Sequence, residues 1–238
     1  MAHRNNHFNW HVLQTGSLPL RPDGMIHHRW DHRCTSVLIW PYGERIARDN
    51  AVLTDPCFTD AGYSDAAVEL KELGVYFEDI GYVFVTHLHA DHMLHLPYDV
   101  PAPRFRPLRP GEVEPLAGLT TVPVPGHHAL QLALMFTAPD ERAIWVVGDG
   151  VLDEEWLRAW GFYWPNGYTQ SEIVETWFSV ARILGGADVV VPGHGAPIVI
   201  TAELVRDLLA TFPQAPHAEL CPEVADALRA RLAGLEGA

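Results

Sequence analysis

The chain has 238 residues, 48% hydrophobic and 19% charged, with a formal net charge of −14 and Lys71 as its only lysine. So acidic a surface argues against a nucleic-acid partner, and no apolar run reaches the ~18–20 residues of a membrane span, so no membrane partner is expected. Cys34, Cys57 and Cys221 are odd in number and lack C-x-x-C spacing. They read as reduced thiols of a cytoplasmic protein, and Met1–His7 has no apolar stretch of the secretory type.

In chain order, Val12-Leu13 and Ser36–Trp40 read as strands flanking a loop rich in Gly, Pro and His, from Gly16 to Arg33. Ala51–Asp55 is a third strand, ended by Pro56. Ser64 to Leu73 reads as a helix with Ser64 as N-cap and Gly74 as its stop. An apolar strand over 82–86 follows. Residues 97–118 carry many prolines and no strong period, so they read as a connection with short extended pieces. Strands are expected again over 119–124, 130–137 and 143–148. Thr169 with Glu172 makes a capping box that opens a helix whose Ile173, Val174, Trp177, Val180, Ala181 and Leu184 share one face, ended by Gly185-Gly186. Ala187–Val191 is a buried-type strand, Thr201 caps a helix carrying Leu204, Val205, Leu208 and Phe212, and Pro222–Leu235 forms the last helix. No linker divides the chain, so residues 1–238 read as one domain.

The chemistry concentrates where strands end. His87-Leu88-His89-Ala90-Asp91-His92 places three imidazoles and a carboxylate directly after the strand 82–86. Imidazole nitrogen and carboxylate oxygen are ligands for zinc, iron(II) or manganese(II). Alternation sends His87 and His89 to one side, while a turn lets Asp91 and His92 face a second position. Pro125-Gly126-His127, Gly148-Asp149 and Pro192-Gly193-His194 each follow a further strand. Together these supply seven donor residues, enough for two metals, with a carboxylate such as Asp149 available to bridge them.

The order His87-x-His89-x-Asp91-His92, Pro-Gly-His127, Gly-Asp149, Pro-Gly-His194, with Leu53-Thr54-Asp55 upstream, resembles the metallo-β-lactamase superfamily over most of the chain. The resemblance implies an α/β fold, a four-layer αββα sandwich of two pseudo-symmetric halves with metals at one edge of the paired sheets. It further implies that His87, His89 and His127 hold one divalent ion, that Asp91, His92 and His194 hold the other, and that Asp149 bridges them. Zinc is the first expectation, with iron or manganese as alternatives. Asp55 would hold a ligand histidine by a hydrogen bond. Two cations lower the pKa of a shared water from 15.7 towards ~7, giving hydroxide for attack on a small-molecule substrate, with Asp91 and Asp149 as the catalytic carboxylates.

Within the superfamily, Asp149 argues against a true β-lactamase, in which the bridging Asp is lacking. The segment after His194 has only Arg206, Arg229 and Arg231 as basic residues, which argues against the glutathione site of glyoxalase II and against an RNA-gripping extension. The remaining resemblance is to the lactonase and general ester-hydrolase branch, acting on a small ester, lactone or thioester. Two other readings stay open: a phosphodiesterase, and a persulfide dioxygenase with a single iron on His87, His127 and Asp149. Leu152 stands where quorum-quenching lactonases place a tyrosine, and Tyr163 or Tyr168 are candidates to replace it. Met93-Leu94-His95 stands where many relatives have a Gly-Gly turn.

Other residues carry two readings each. His127 is preferred over its neighbour His128 because the family ligand follows Pro-Gly directly, and His95 is read as an outer or surface residue. The loop with His27, His28 and His32 is either solvated or a flap over the metals, whose Met25, Ile26 and Trp30 would need a surface to cover. Trp156 and Trp160 are spaced as a helix's core face. Trp30, Phe162, Tyr163, Trp164 and Tyr168 are the candidate substrate pocket, an aromatic wall suited to an apolar acyl or aryl group.

Overall fold

The structure is a computed structural model, and it describes residues 6–26, 31–93, 95, 106–107, 116–162 and 167–237. Two five-stranded sheets organise the chain. The first has the order β1 (Phe8–Gln14), β2 (Ser36–Pro41), β3 (Val52–Thr54), β4 (Tyr82–Phe84) and β5 (Arg106–Pro107). The second runs β10 (Ile198–Val199), β9 (Val189–Pro192), β8 (Ala143–Gly148), β7 (Leu132–Thr137) and β6 (Thr120–Pro123).

Side-chain alternation explains the layering. Val37, Ile39, Val52 and Phe84 of the first sheet meet Leu134, Phe136, Ile144, Val146, Val189 and Val191 of the second in one apolar cluster between the sheets. The intervening residues point outwards and are also buried. Leu38 and Leu53 pack against α1 (Asp60–Glu72) through Ala66 and Leu70. Trp145, Val147 and Val190 pack against α3 (Gln170–Gly186), α4 (Ala202–Thr211) and α5 (Glu223–Glu236) through Trp177, Leu184, Leu208 and Leu228. Strands covered on both faces need continuous apolar runs, which is why 36–40 and 187–191 carry no polar alternation. The four-layer αββα sandwich expected from the sequence is the architecture observed.

The helix caps follow local chemistry, with one shift. Thr169 accepts from Glu172 N while the Glu172 carboxylate receives Thr169 N at 2.8 Å, the expected capping box. Thr201 caps α4 through Leu204 N. α1, expected to start at Ser64, begins a turn earlier with Thr59 as its N-cap accepting from Gly62 N. Gly62 lies in that first turn, where a side chain would collide with the Gln14 amide, so close packing accounts for the glycine.

The Trp156/Trp160 pair is also corrected. A five-residue α2 (Glu154–Arg158), capped by Asp153, contains Trp156. Trp160 lies beyond its end at φ 47 and is buried, with its indole donating to Leu208 O. Both rings are core residues, but they do not share a helix face. The three cysteines are unpaired thiols, and no helix among the described residues is long and apolar enough to cross a membrane.

Candidate metal centre

β3–β4 and β8–β9 are parallel pairs, so the loops leaving β4, β8 and β9 emerge on one edge of the sandwich. The β6 exit joins them because Leu132 N of the neighbouring β7 donates to Thr86 O at 2.9 Å, stitching the second sheet to the loop that carries His87. His87, His92, His127, Asp149 and His194 are buried; His89 and Asp91 are half-buried. Two glycines permit the convergence. At Gly148 the backbone takes φ +51, and a Cβ would overlap Thr86 Oγ1; at Gly193 a Cβ would overlap Asp149 Oδ1.

The donors fall into two groups on either side of one carboxylate. On one side His127 Nε2 is 2.9 Å from His89 Nδ1 and 3.1 Å from Asp149 Oδ2, with His87 Nε2 3.9 Å from the same oxygen. On the other, His92 Nε2 and His194 Nε2 stand 3.1 and 3.2 Å from Asp149 Oδ1 and 3.4 Å from each other. Asp91 Oδ2 flanks the second group, 3.5 Å from His194 Nε2 and 3.9 Å from His92 Nε2.

Hydrogen bonds behind the rings decide which nitrogens carry protons. Arg33 O can only accept, so His194 Nδ1 donates to it at 2.9 Å. The Asp55 carboxylate receives Thr86 N at 2.7 Å, Thr86 Oγ1 at 2.8 Å and His92 Nδ1 at 3.0 Å. Thr86 has spent its one hydroxyl hydrogen on Asp55, so its oxygen accepts from His87 Nδ1 at 3.1 Å. In the neutral rings the Nε2 atoms of His87, His92 and His194 are then bare lone pairs turned inwards. His87 Nε2 and Asp149 Oδ1 are buried without a hydrogen-bond partner.

Acceptors converging on acceptors need a cation between them. Metal–nitrogen or metal–oxygen bonds of ~2.0–2.1 Å at ordinary angles separate neighbouring donors by about 2.9–3.4 Å, the range of most of these distances. The residues present fit a metal centre by separation, by tautomer and by donor type.

Electrostatics separates the two groups. Burial pushes His87 down to about 2 and His127 down to about 4, against the opposing pull of Asp149. His92 and His194 move the other way: burial opposes, but Asp149 lifts both, Asp55 adding to the lift on His92. Burial also opposes the charge of Asp149, yet His194, His92 and His127 hold it well below the usual carboxylate range. Asp91 is likewise held low despite burial, chiefly by the hydrogen bond from His32.

Several other residues singled out in the sequence take definite places. His128 is outside the donor groups, its Nδ1 accepting from Leu130 N at 3.1 Å. His95 is exposed, its backbone tied to Pro56 and Phe58. Leu152 is buried against Leu18 and Trp156. The Tyr168 hydroxyl lies 2.5 Å from His127 Nδ1, and its ring packs on Phe162, which in turn stacks edge-on against Trp177. Phe162 also lines a cavity with His127, Asp149 and Leu152. Trp30, Tyr163, Trp164, His27 and His28 lie outside the described residues. Met25 and Ile26 are exposed, as the solvated reading of the loop expects of them. His32, from the same loop, nevertheless reaches the centre: its Nε2 is 2.9 Å from Asp91 Oδ2. Nothing in its sequence spacing distinguished it from its two neighbouring histidines.

No protein-family model matches the chain. The rat protein named metallo-beta-lactamase domain-containing protein 1 is 30% identical over an alignment 187 residues long, which covers 69% of this chain and 70% of the relative. The chain belongs to the metallo-β-lactamase superfamily of metal-dependent hydrolases. Solved superfamily structures share the fold at lower identity. A metallo-beta-lactamase family protein from Thermus thermophilus aligns with a TM-score of 0.52 at 18% identity, covering 87% of this chain and 79% of that one. A hydrolase of the beta-lactamase superfamily aligns with a TM-score of 0.54 at 15% identity, covering 82% and 88%.

Proposed function

We propose that the protein is a dinuclear hydrolase of a small ester, lactone or thioester. His87, His89 and His127 form one position, Asp91, His92 and His194 the other, and Asp149 lies between. The observation that carries this reading is the division of Asp149, with Oδ2 turned to one histidine group and Oδ1 to the other.

When bound, two divalent cations acidify water to a nucleophile at neutral pH and stabilise negative charge developing on the attacked group. Zinc suits the donor set, as do iron and manganese. The chain's own residues do the rest. Asp55 and Thr86 fix the His92 and His87 rings, Arg33 O fixes His194 and Tyr168 fixes His127. Asp91, half-buried and held ionised, accepts a proton from the attacking water and passes it to the leaving group.

The rim supports an uncharged, partly apolar substrate. Leu88, Met93 and Leu130, each within three residues of a donor histidine, are exposed. An apolar rim on a chain of net charge −14 favours a neutral acyl compound over a phosphodiester.

Elemental analysis of purified protein, coupled to a panel of lactone, thioester and bis-p-nitrophenyl phosphate substrates, tests the proposal. Two divalent ions per chain and preference for carboxylic substrates are expected. Faster phosphodiester cleavage would replace the substrate class. One iron per chain with oxygen consumption would replace the reaction with that of a mononuclear dioxygenase on His87, His127 and Asp149.

A further inference from the structure

We propose that His32 is a further metal donor, joining Asp91, His92 and His194 at the second position. This rests on the dinuclear reading above. His32 Nε2 is 2.9 Å from Asp91 Oδ2, and donor atoms of His32, Asp91 and His194 all lie within 4.8 Å of one another. The His32 ring leans on that of His194, with centroids 5.1 Å apart. A separation of about 2.9 Å is that of two donors at right angles on one cation with bonds of ~2.05 Å. Asp91 Oδ2 is thus common to three imidazole nitrogens, those of His32, His194 and His92.

The backbone that presents His32 is fixed on both sides. The carbonyl of Asp31 accepts from Ser17 Oγ at 2.5 Å. The carbonyl of Arg33 accepts from Ser17 N at 2.9 Å and from His194 Nδ1 at 2.9 Å, and Arg33 N donates to Ser17 O. Thr35, two residues on, donates its amide to Gly193 O and its hydroxyl to Gly195 O. One short segment therefore supports the back of His194 and delivers His32 to its front.

The donor count has a consequence for metal choice. With Asp149 Oδ1, the second position has five protein donors. Structural or catalytic zinc sites ordinarily use three or four, whereas manganese(II) and iron(II) accept more. The first position, without such an addition, keeps four.

The test is titration of the metal-free full chain with cobalt(II) against a chromophoric chelator, for wild type, His32→Ala and His32→Gln. Wild type is expected to bind two equivalents. Both variants should bind the first as wild type does and the second at least tenfold more weakly, with altered cobalt ligand-field bands for that equivalent. Glutamine keeps a hydrogen-bond donor for Asp91. Restoration of affinity and bands by His32→Gln would therefore show that His32 only positions Asp91, and would overturn the inference. Wild-type affinity and bands in His32→Ala would overturn it too, leaving the dinuclear reading intact. Uptake of a single equivalent by wild type would remove both.

Discussion

Asp55 Oδ2 and His92 Nδ1 are 3.0 Å apart in a place from which solvent is excluded. Asp55 holds three donors at once, sits at φ 40 in the left-handed region, and ties the end of β3 to the loop after β4. A conformation of that kind costs about 1–3 kcal/mol and persists where its surroundings over-determine it. Asp55→Asn keeps the shape but puts an NH2 in place of one oxygen; at the Oδ2 place it faces two donors, Thr86 Oγ1 and His92 Nδ1. It is expected to lower metal affinity at the His92 position about 10–100-fold and stability by about 1–3 kcal/mol. Chelator competition and denaturant melts of the metal-free protein check the two effects; unchanged affinity would show that His92 needs no such support.

Tyr168→Phe removes the hydroxyl from His127 Nδ1 and leaves the ring on Phe162. The expected outcome is a fold stable to within about 1 kcal/mol and roughly tenfold weaker binding at the His87 position. Loss of substrate affinity with metal binding unchanged would instead place Tyr168 in the substrate pocket.

Gly193→Ala and Gly185→Ala form a matched pair. A methyl at 193 overlaps Asp149 Oδ1, whereas at 185 it meets nothing within 4 Å. The first change is expected to cost about 1–3 kcal/mol and to cut the uptake of both ions. The second, in the last turn of α3, should be neutral or stabilise by about 0.5–1 kcal/mol. Thermal melts and metal content report both.

The pH dependence of the metal-free protein has two limbs. His87 and His127 have folded values depressed to about 2 and about 4 from 6.5. Their contribution is present above 6.5 and is lost as pH falls through the lowered values. His92 and His194 are raised, so theirs is present below 6.5 and is lost as pH rises through the raised values. A cation competes with protons for His92 and His194. The rise in melting temperature on adding metal should therefore grow as pH increases above 6.5 and shrink below it. A metal-induced rise independent of pH would contradict this.

The sequence displayed what depends on neighbours in the chain. The runs 36–40 and 187–191, the capping box at Thr169 and the hexapeptide after β4 are local patterns, and each has its structural counterpart. Asp55 was legible as a buttress because the family pattern carries it. What escaped depends on contacts distant in sequence. The reason for Gly62, the Gln14 amide, lies 48 positions away. The short α2 and the two-residue β10 are too brief for periodicity to register. His32 is one of three histidines in a loop, and only the Ser17–Arg33 pairing and the seat of His194 select it.

Asp149 leaves the end of β8 with His127 and His194 as companions from its own sheet, while His87, His89, Asp91 and His92 arrive from the other. Neither sheet owns a complete donor set. A cation held there is accordingly a clasp across the sandwich, and the two layers cannot part without releasing it. Loading should then slow unfolding and proteolysis more than it shifts the folding rate, because the clasp closes only after both sheets have docked.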